Sequence, residues 1–205
     1  MAIFEPSGRP HHWKPTALAA GPFAGLQGGA VASLLTAEIE AQADTRKWGT
    51  AISASAWFLR PTPMTDLRTQ LSVLTEGGRV SVIDNTLWAG NEDQPDQSPC
   101  ATVRVTLSRE RAVEIPGFAD PKSLFDPSEL ADPLLFPLRT RRAAHGRTWF
   151  MDAMETREGD GVAWFRLDHA IIDGAEPLSK VPLSKLPLSS VLGPADWTHG
   201  ITRPF

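Results

Sequence analysis

The sequence predicts an α+β fold in which one long helix covers an antiparallel sheet. A helical pattern extends from residue 26 to residue 44, and four strand-like segments follow it with short connections. Short connections favour antiparallel pairing of consecutive strands. A sheet with one apolar face must bury that face, and an apolar stripe on the helix is the expected partner. The stripe consists of Val31, Leu34, Leu35 and Ile39.

Glycine, proline and charged residues mark the bounds and faces of these elements. Gly25 precedes the helix, and Glu38 and Glu40 lie largely off its apolar stripe, on the expected polar side. The first strand ends at Pro61, and Gly77-Gly78 forms the turn between the second and the third. The four predicted strands are Ala51–Arg60, Thr69–Thr75, Val80–Ala89 and Ala101–Leu107.

Three parts are expected along the chain: a helix-and-sheet lobe at 1–110, a proline-rich linker at 111–146 and an incomplete second lobe at 147–205. In the second lobe, Arg147–Thr156 and Gly161–Ile172 are predicted to be strands around a turn. Leu188–Ile201 is predicted to be a short helix, although Pro194 lies inside it.

Composition excludes several classes of function. A formal net charge of -4 argues against a nucleic-acid-binding protein, and no apolar run approaches a membrane span. The N-terminus does not resemble a secretory signal, and the single cysteine, Cys100, favours the reducing cytoplasm. No dinucleotide or phosphate-binding motif occurs, and His11-His12 has no ligands at metal-binding spacing. We therefore expect no cofactor, no metal, no nucleic acid and no membrane partner.

Three segments occur in an order typical of one family. Gly25–Leu35 contains a Gln-Gly-Gly helix start, Ser53–Pro61 ends in Phe-Leu-Arg-Pro, and Cys100–Leu107 is a closing strand. Together they resemble acyl-CoA thioesterases of the TesB-like, double-hotdog type. The resemblance covers residues 20 to 108 and continues more weakly from 147 to 200. It implies a hotdog fold, in which a sheet wraps a central helix, a truncated second hotdog and an acyl-CoA substrate.

The helix start at Gln27-Gly28-Gly29 is the first candidate site. Free N–H groups and the helix dipole there favour a negatively charged oxygen, such as that of a thioester carbonyl under attack. The two glycines would equally serve close packing of the helix on the sheet. Gln27 stands where many hotdog proteins have histidine. Its amide could orient a carbonyl or a water molecule, but it cannot act as a base.

Arg60 and Asp196 complete the candidate set. Arg60 is either a solvated arginine, a contact to the phosphate or pantetheine of CoA, or an ion-pair partner that fixes the turn. Val191–Trp197 resembles the second-lobe helix on which double-hotdog thioesterases carry a catalytic aspartate. There the aspartate acts with a threonine and a glutamine from later strands to polarise water. Without that resemblance, Asp196 would be interpreted as a helix cap.

The chain departs from the family pattern after Asp196, because only nine residues follow it. The expected threonine and glutamine partners are absent, so a fragment or completion by another chain is expected. The leading hypothesis is hydrolysis of an acyl-CoA thioester, with Asp196 and Gln27 catalytic and Gly28, Gly29 and Arg60 binding substrate. The alternative is a non-catalytic module that binds acyl-CoA or another acyl ligand. A hydratase is disfavoured, because no Asp-His pair lies near the first helix. An exposed strand edge predicts a homodimer.

Overall fold

The computed structural model describes residues 1–90, 98–110, 147–159, 162–181 and 185–197. The predicted linker at 111–146 and the last residues of the predicted helix, 198–201, lie outside these ranges. Among the residues described, no helix is both long and apolar enough to cross a membrane.

The first sheet contains six described strands, and every neighbouring pair in it is antiparallel. Their order across the sheet is β1-β2-β4-β5-β6-β3. The four predicted strands are confirmed, with ends that differ by at most two residues. β1 and β2 were not predicted, because strands this short show little alternation. The bounds are Phe4–Pro6 (β1), His12–Pro15 (β2), Thr50–Phe58 (β3), Leu67–Glu76 (β4), Val80–Ala89 (β5) and Ala101–Ser108 (β6).

The central helix, α1, extends from Gly28 to Arg46 and packs on β3, β5 and β6. Its predicted apolar stripe is fully buried in the core. The prediction of a polar outer side is wrong in part, since Glu38 is buried and Glu40 is half-buried. Glu38 lies beneath the sheet, where His11 Nδ1 and Asn85 Nδ2 contact its carboxylate.

The second sheet contains two described strands, β7 (Met154–Gly159) and β8 (Val162–Leu167). The strand predicted over Arg147–Thr156 is wrong in its first part, where Phe150–Ala153 forms a 3-10 helix. The Asp152 carboxylate accepts a hydrogen bond from the Trp149 N–H and closes this turn. The strand predicted to reach Ile172 ends at Leu167, and Ala170 and Ile171 then pair with the N-terminal segment at Ile3 and Phe4.

The second helix, α2 (Ser189–Trp197), includes Pro194 and packs directly against α1. Glycines make this approach possible. A methyl group on Gly29 would lie 2.7 Å from the carbonyl oxygen of Gly193 and 2.8 Å from its Cα. Gly29 therefore packs against a second helix, which the sequence did not predict, whereas Gly28 approaches both Asp196 of that helix and Phe58 of β3, in partial agreement with the predicted helix–sheet packing.

Candidate active site

The carboxylate of Asp196 lies at the N-terminus of α1. Its Oδ2 accepts a hydrogen bond of 2.9 Å from the Gly29 N–H and one of 2.7 Å from Gln27 Nε2. A methyl group on Gly28 would lie 3.1 Å from the same oxygen. Four of the five predicted site residues thus meet between the two helices, with the carboxylate supplied by α2 and the donors by α1.

The chemistry of a helix start explains this contact. The first N–H groups of a helix have no partner within it, and the helix dipole gives that end a partial positive charge. The first turn of α1 has no acidic residue, and Gln27 does not cap it with its own side chain. Asp196 supplies the missing negative charge from a position 167 residues away in sequence. Gln27 was predicted to orient a carbonyl or a water molecule, and in the structure it donates to the carboxylate.

The start of α2 is bound by a carboxylate in the same way. Glu40 Oε1 accepts a hydrogen bond of 2.7 Å from the Leu188 N–H, and its Oε2 accepts one of 3.3 Å from the Ser189 N–H. Glu40 belongs to α1, so each helix supplies the carboxylate that binds the N-terminus of the other. This reciprocal arrangement holds α2 at both ends and thereby fixes the position of Asp196.

Burial raises the pKa of Glu40, and its hydrogen bonds to Ser189 and Leu188 lower it by less. A raised pKa in the folded state means that this group contributes stability below the usual pKa of glutamate. That contribution is lost as the pH rises through the raised value.

Glu40→Gln should reveal this balance. Glutamine stays neutral at every pH, so we expect wild type to lose stability relative to Glu40→Gln as the pH rises from about 4 towards 7. Chemical denaturation of both proteins across this range measures the difference. A difference that instead grows in favour of wild type with rising pH would mean that the two N–H bonds outweigh burial.

Phe58, the last residue of β3, is a neighbour of the carboxylate that sequence reasoning missed. Its Cζ would lie 3.2 Å from a methyl group on Gly28, the same position that approaches Asp196 Oδ2. The signal for it was present, since Phe58 is the phenylalanine of the Phe-Leu-Arg-Pro motif. It was not selected because an apolar residue at a strand end is ordinarily assigned to the core.

Arg60 is the predicted site residue that does not contact Asp196. Its backbone N–H donates to the Cys100 carbonyl oxygen at 3.2 Å, which fixes the chain just after β3. The residue is exposed, and it forms no ion pair with any other residue that the structure describes. The structure therefore does not support the turn-fixing ion pair among the described residues.

Two further charged groups away from this site have ion-pair partners. Asp168 Oδ1 lies 3.2 Å from Arg166 Nε. His11 lacks a carboxylate nearby in sequence, but the fold brings Glu38 to its Nδ1. Over the residues described, no three histidine, cysteine or acidic side chains are grouped as metal ligands.

Comparison with known families adds the decisive observation. Residues 17–108 match the model of the acyl-CoA thioesterase N-terminal domain, a segment that contains α1 and strands β3 to β6. The match covers 92 of the 205 residues, and over this segment the chain is similar to that thioesterase domain. No curated protein matches the chain.

Solved structures confirm the hotdog fold of this chain. A candidate thioesterase from Novosphingobium aromaticivorans is 18% identical with a TM-score of 0.60, and the match covers 96% of this chain and 72% of that one. A hotdog protein of unknown function from Alicyclobacillus acidocaldarius is 14% identical with a TM-score of 0.62, covering 94% and 66%. A candidate thioesterase II from Thermobifida fusca is 15% identical with a TM-score of 0.50, covering 75% and 51%. This chain therefore spans only about half to three quarters of the length of these relatives.

Proposed function

We propose that this thioesterase-like protein hydrolyses an acyl-CoA thioester to a free acid and CoA at the junction of α1 and α2. The observation that carries the proposal is the Asp196 carboxylate, which is held at the N-terminus of α1 by Gly29 and Gln27. A carboxylate beside a helix N-terminus combines a proton acceptor with donors for a developing oxyanion.

In the proposed reaction, Asp196 takes a proton from a water molecule while the water oxygen attacks the thioester carbonyl carbon. The carbon–sulfur bond then breaks, and the departing thiolate of CoA takes up the proton. The N–H of Gly29 is bonded to Asp196, so the carbonyl oxygen is assigned to the N–H of Gly28 in the same first turn. Gln27 fixes the orientation of the carboxylate in place of the glutamine expected from a later strand.

The alternative, a module that binds acyl-CoA without turning it over, is favoured by one feature of the same site. Asp196 already occupies the Gly29 N–H that the sequence assigned to the substrate oxygen. Release of free thiol from acyl-CoA esters by catalytic amounts of protein decides between the two. Turnover supports the enzyme, binding without thiol release supports the module, and neither binding nor release would contradict both.

Arg60 is proposed to bind a phosphate of CoA, because its exposed guanidinium follows Phe58 by two residues at the edge of the site. We expect Arg60→Ala to raise KM for acyl-CoA about fivefold, the effect of roughly 1 kcal/mol for an exposed ion pair, with little change in kcat. Added salt should reduce the difference from wild type. The matched substrate is the corresponding acyl-pantetheine, which lacks the nucleotide phosphates. An equal loss on both substrates would contradict the assignment.

We also propose that the protein forms a homodimer and is located in the cytoplasm. β3 lies at the end of the six-stranded sheet, and its outer edge has no partner among the described strands. It carries exposed Ile52, and an unpaired apolar edge favours pairing with a second copy. Cys100 is buried and free, as a reducing compartment would maintain it.

A further inference from the structure

The ring of Phe58 borders the Asp196 carboxylate. A methyl group on Gly28 would lie 3.1 Å from Asp196 Oδ2 and 3.2 Å from Phe58 Cζ, so the oxygen and the ring are separated by no more than these two distances together. A water molecule activated by Asp196 lies about 2.6–3.2 Å from it. The carbonyl carbon that this water attacks lies about 3–3.5 Å further on. A carbonyl group that lies on the Phe58 side of the carboxylate would therefore bring the first carbons of the acyl group into contact with the ring.

Phe58 also has the exposure of a ligand contact rather than of a core residue. The side chain is 49% exposed although it faces α1. Three further exposed apolar side chains lie next to Phe58 in sequence or on two neighbouring loops, which are joined by a 2.8 Å hydrogen bond from the Leu26 N–H to the Thr62 carbonyl oxygen. Contiguous exposed apolar surface typically marks a binding site. These neighbours are Phe23, Leu59 and Met64.

From this geometry we propose that Phe58 determines acyl specificity, and that the substrates are CoA thioesters of apolar acyl groups long enough to cover its ring. The inference rests on the proposed function, because it uses Asp196 as the reference point for the carbonyl. Hexanoyl-CoA represents this class. An acetyl group is too short to cover the ring, and the charged end of a succinyl group would lose its hydration against the ring.

The strand itself supplies a matched control. Adjacent residues of a strand point to opposite faces, so Trp57 points away from α1 while Phe58 points towards it. Trp57 is 46% exposed, almost the same as Phe58. Trp57→Ala therefore removes a similar exposed aromatic group from the same strand without altering the proposed acyl contact.

The test compares kcat/KM for acetyl-, hexanoyl- and succinyl-CoA in wild type, Phe58→Ala and Trp57→Ala. Wild type should prefer hexanoyl-CoA, and Phe58→Ala should lower the hexanoyl-to-acetyl ratio by a factor of about 10 or more. Trp57→Ala should leave the ratio unchanged. Phe58→Leu, which keeps an apolar side chain, should retain part of the preference and guards against a folding defect in the alanine variant.

Binding measurements separate this inference from the hydrolysis proposal. Dissociation constants for the same three esters and for free CoA are measured on Asp196→Asn, with and without Phe58→Ala. Tighter binding of hexanoyl-CoA than of acetyl-CoA that is lost when Phe58→Ala is added supports the inference. If wild type then releases no thiol, only the hydrolysis proposal fails. An unchanged ratio in Phe58→Ala, in both turnover and binding, would overturn the inference and leave hydrolysis standing.

Discussion

Asp196→Asn is expected to lower kcat for acyl-CoA hydrolysis by a factor of about 10²–10⁴, the usual contribution of a general base. Asparagine cannot accept the proton of the attacking water. Its amide oxygen can take the place of Oδ2 and accept the hydrogen bonds of both the Gly29 N–H and Gln27 Nε2. The contact between α1 and α2 should therefore persist, and activity should fall while stability changes little.

Stopped assays of thiol release, together with thermal melting of each protein, measure both effects. Asp168→Asn is the matched control, because it makes the same chemical change just after β8, at a carboxylate that pairs with Arg166. It should keep the activity of wild type. Retention of full activity in Asp196→Asn would remove Asp196 from the mechanism and would favour an attacking water held by another group.

The sequence predicted the parts of this site more completely than it predicted their assembly. The 3.6-residue period of Val31, Leu34, Leu35 and Ile39 reports burial directly, so α1 and its orientation on the sheet could be predicted. The contact between Gly29 and Asp196 joins residues 167 positions apart, and no local pattern encodes it. Only the family resemblance selected Asp196, and it did not predict Gln27 as its neighbour.

Glu40 shows why the remainder could not be predicted. On a helical projection it lies off the apolar stripe, which ordinarily means exposure to solvent. The fold instead covers it with α2, where its carboxylate accepts two backbone N–H groups. A periodic pattern distinguishes apolar from polar positions. It does not show whether the carboxylate at a polar position is hydrated by water or bonded to the N-terminus of another helix.

Gly29→Ala is expected to separate the two helices and to impair both stability and activity. The added methyl group would lie 2.7 Å from the Gly193 carbonyl oxygen and 2.8 Å from the Gly193 Cα. These are backbone atoms of α2, which no side-chain rotation can displace, so α2 must shift. Overpacking of this kind costs about 1–3 kcal/mol of unfolding free energy. The shift would also move Asp196, whose Cβ would be 3.0 Å from the methyl group, away from the Gly29 N–H.

Two other glycines give a graded comparison by chemical denaturation and thiol release. Gly78→Ala meets no atom within 4 Å and should behave as wild type. Gly28→Ala meets the side chains of Asp196 and Phe58, which can rotate, so it should impair activity more than stability. Alanine ordinarily stabilises a helix relative to glycine by about 0.5–1 kcal/mol. Destabilisation by Gly29→Ala would therefore be a direct measure of the α1–α2 contact. A stabilised Gly29→Ala protein would instead mean that the helices do not pack this closely and that Asp196 does not reach α1.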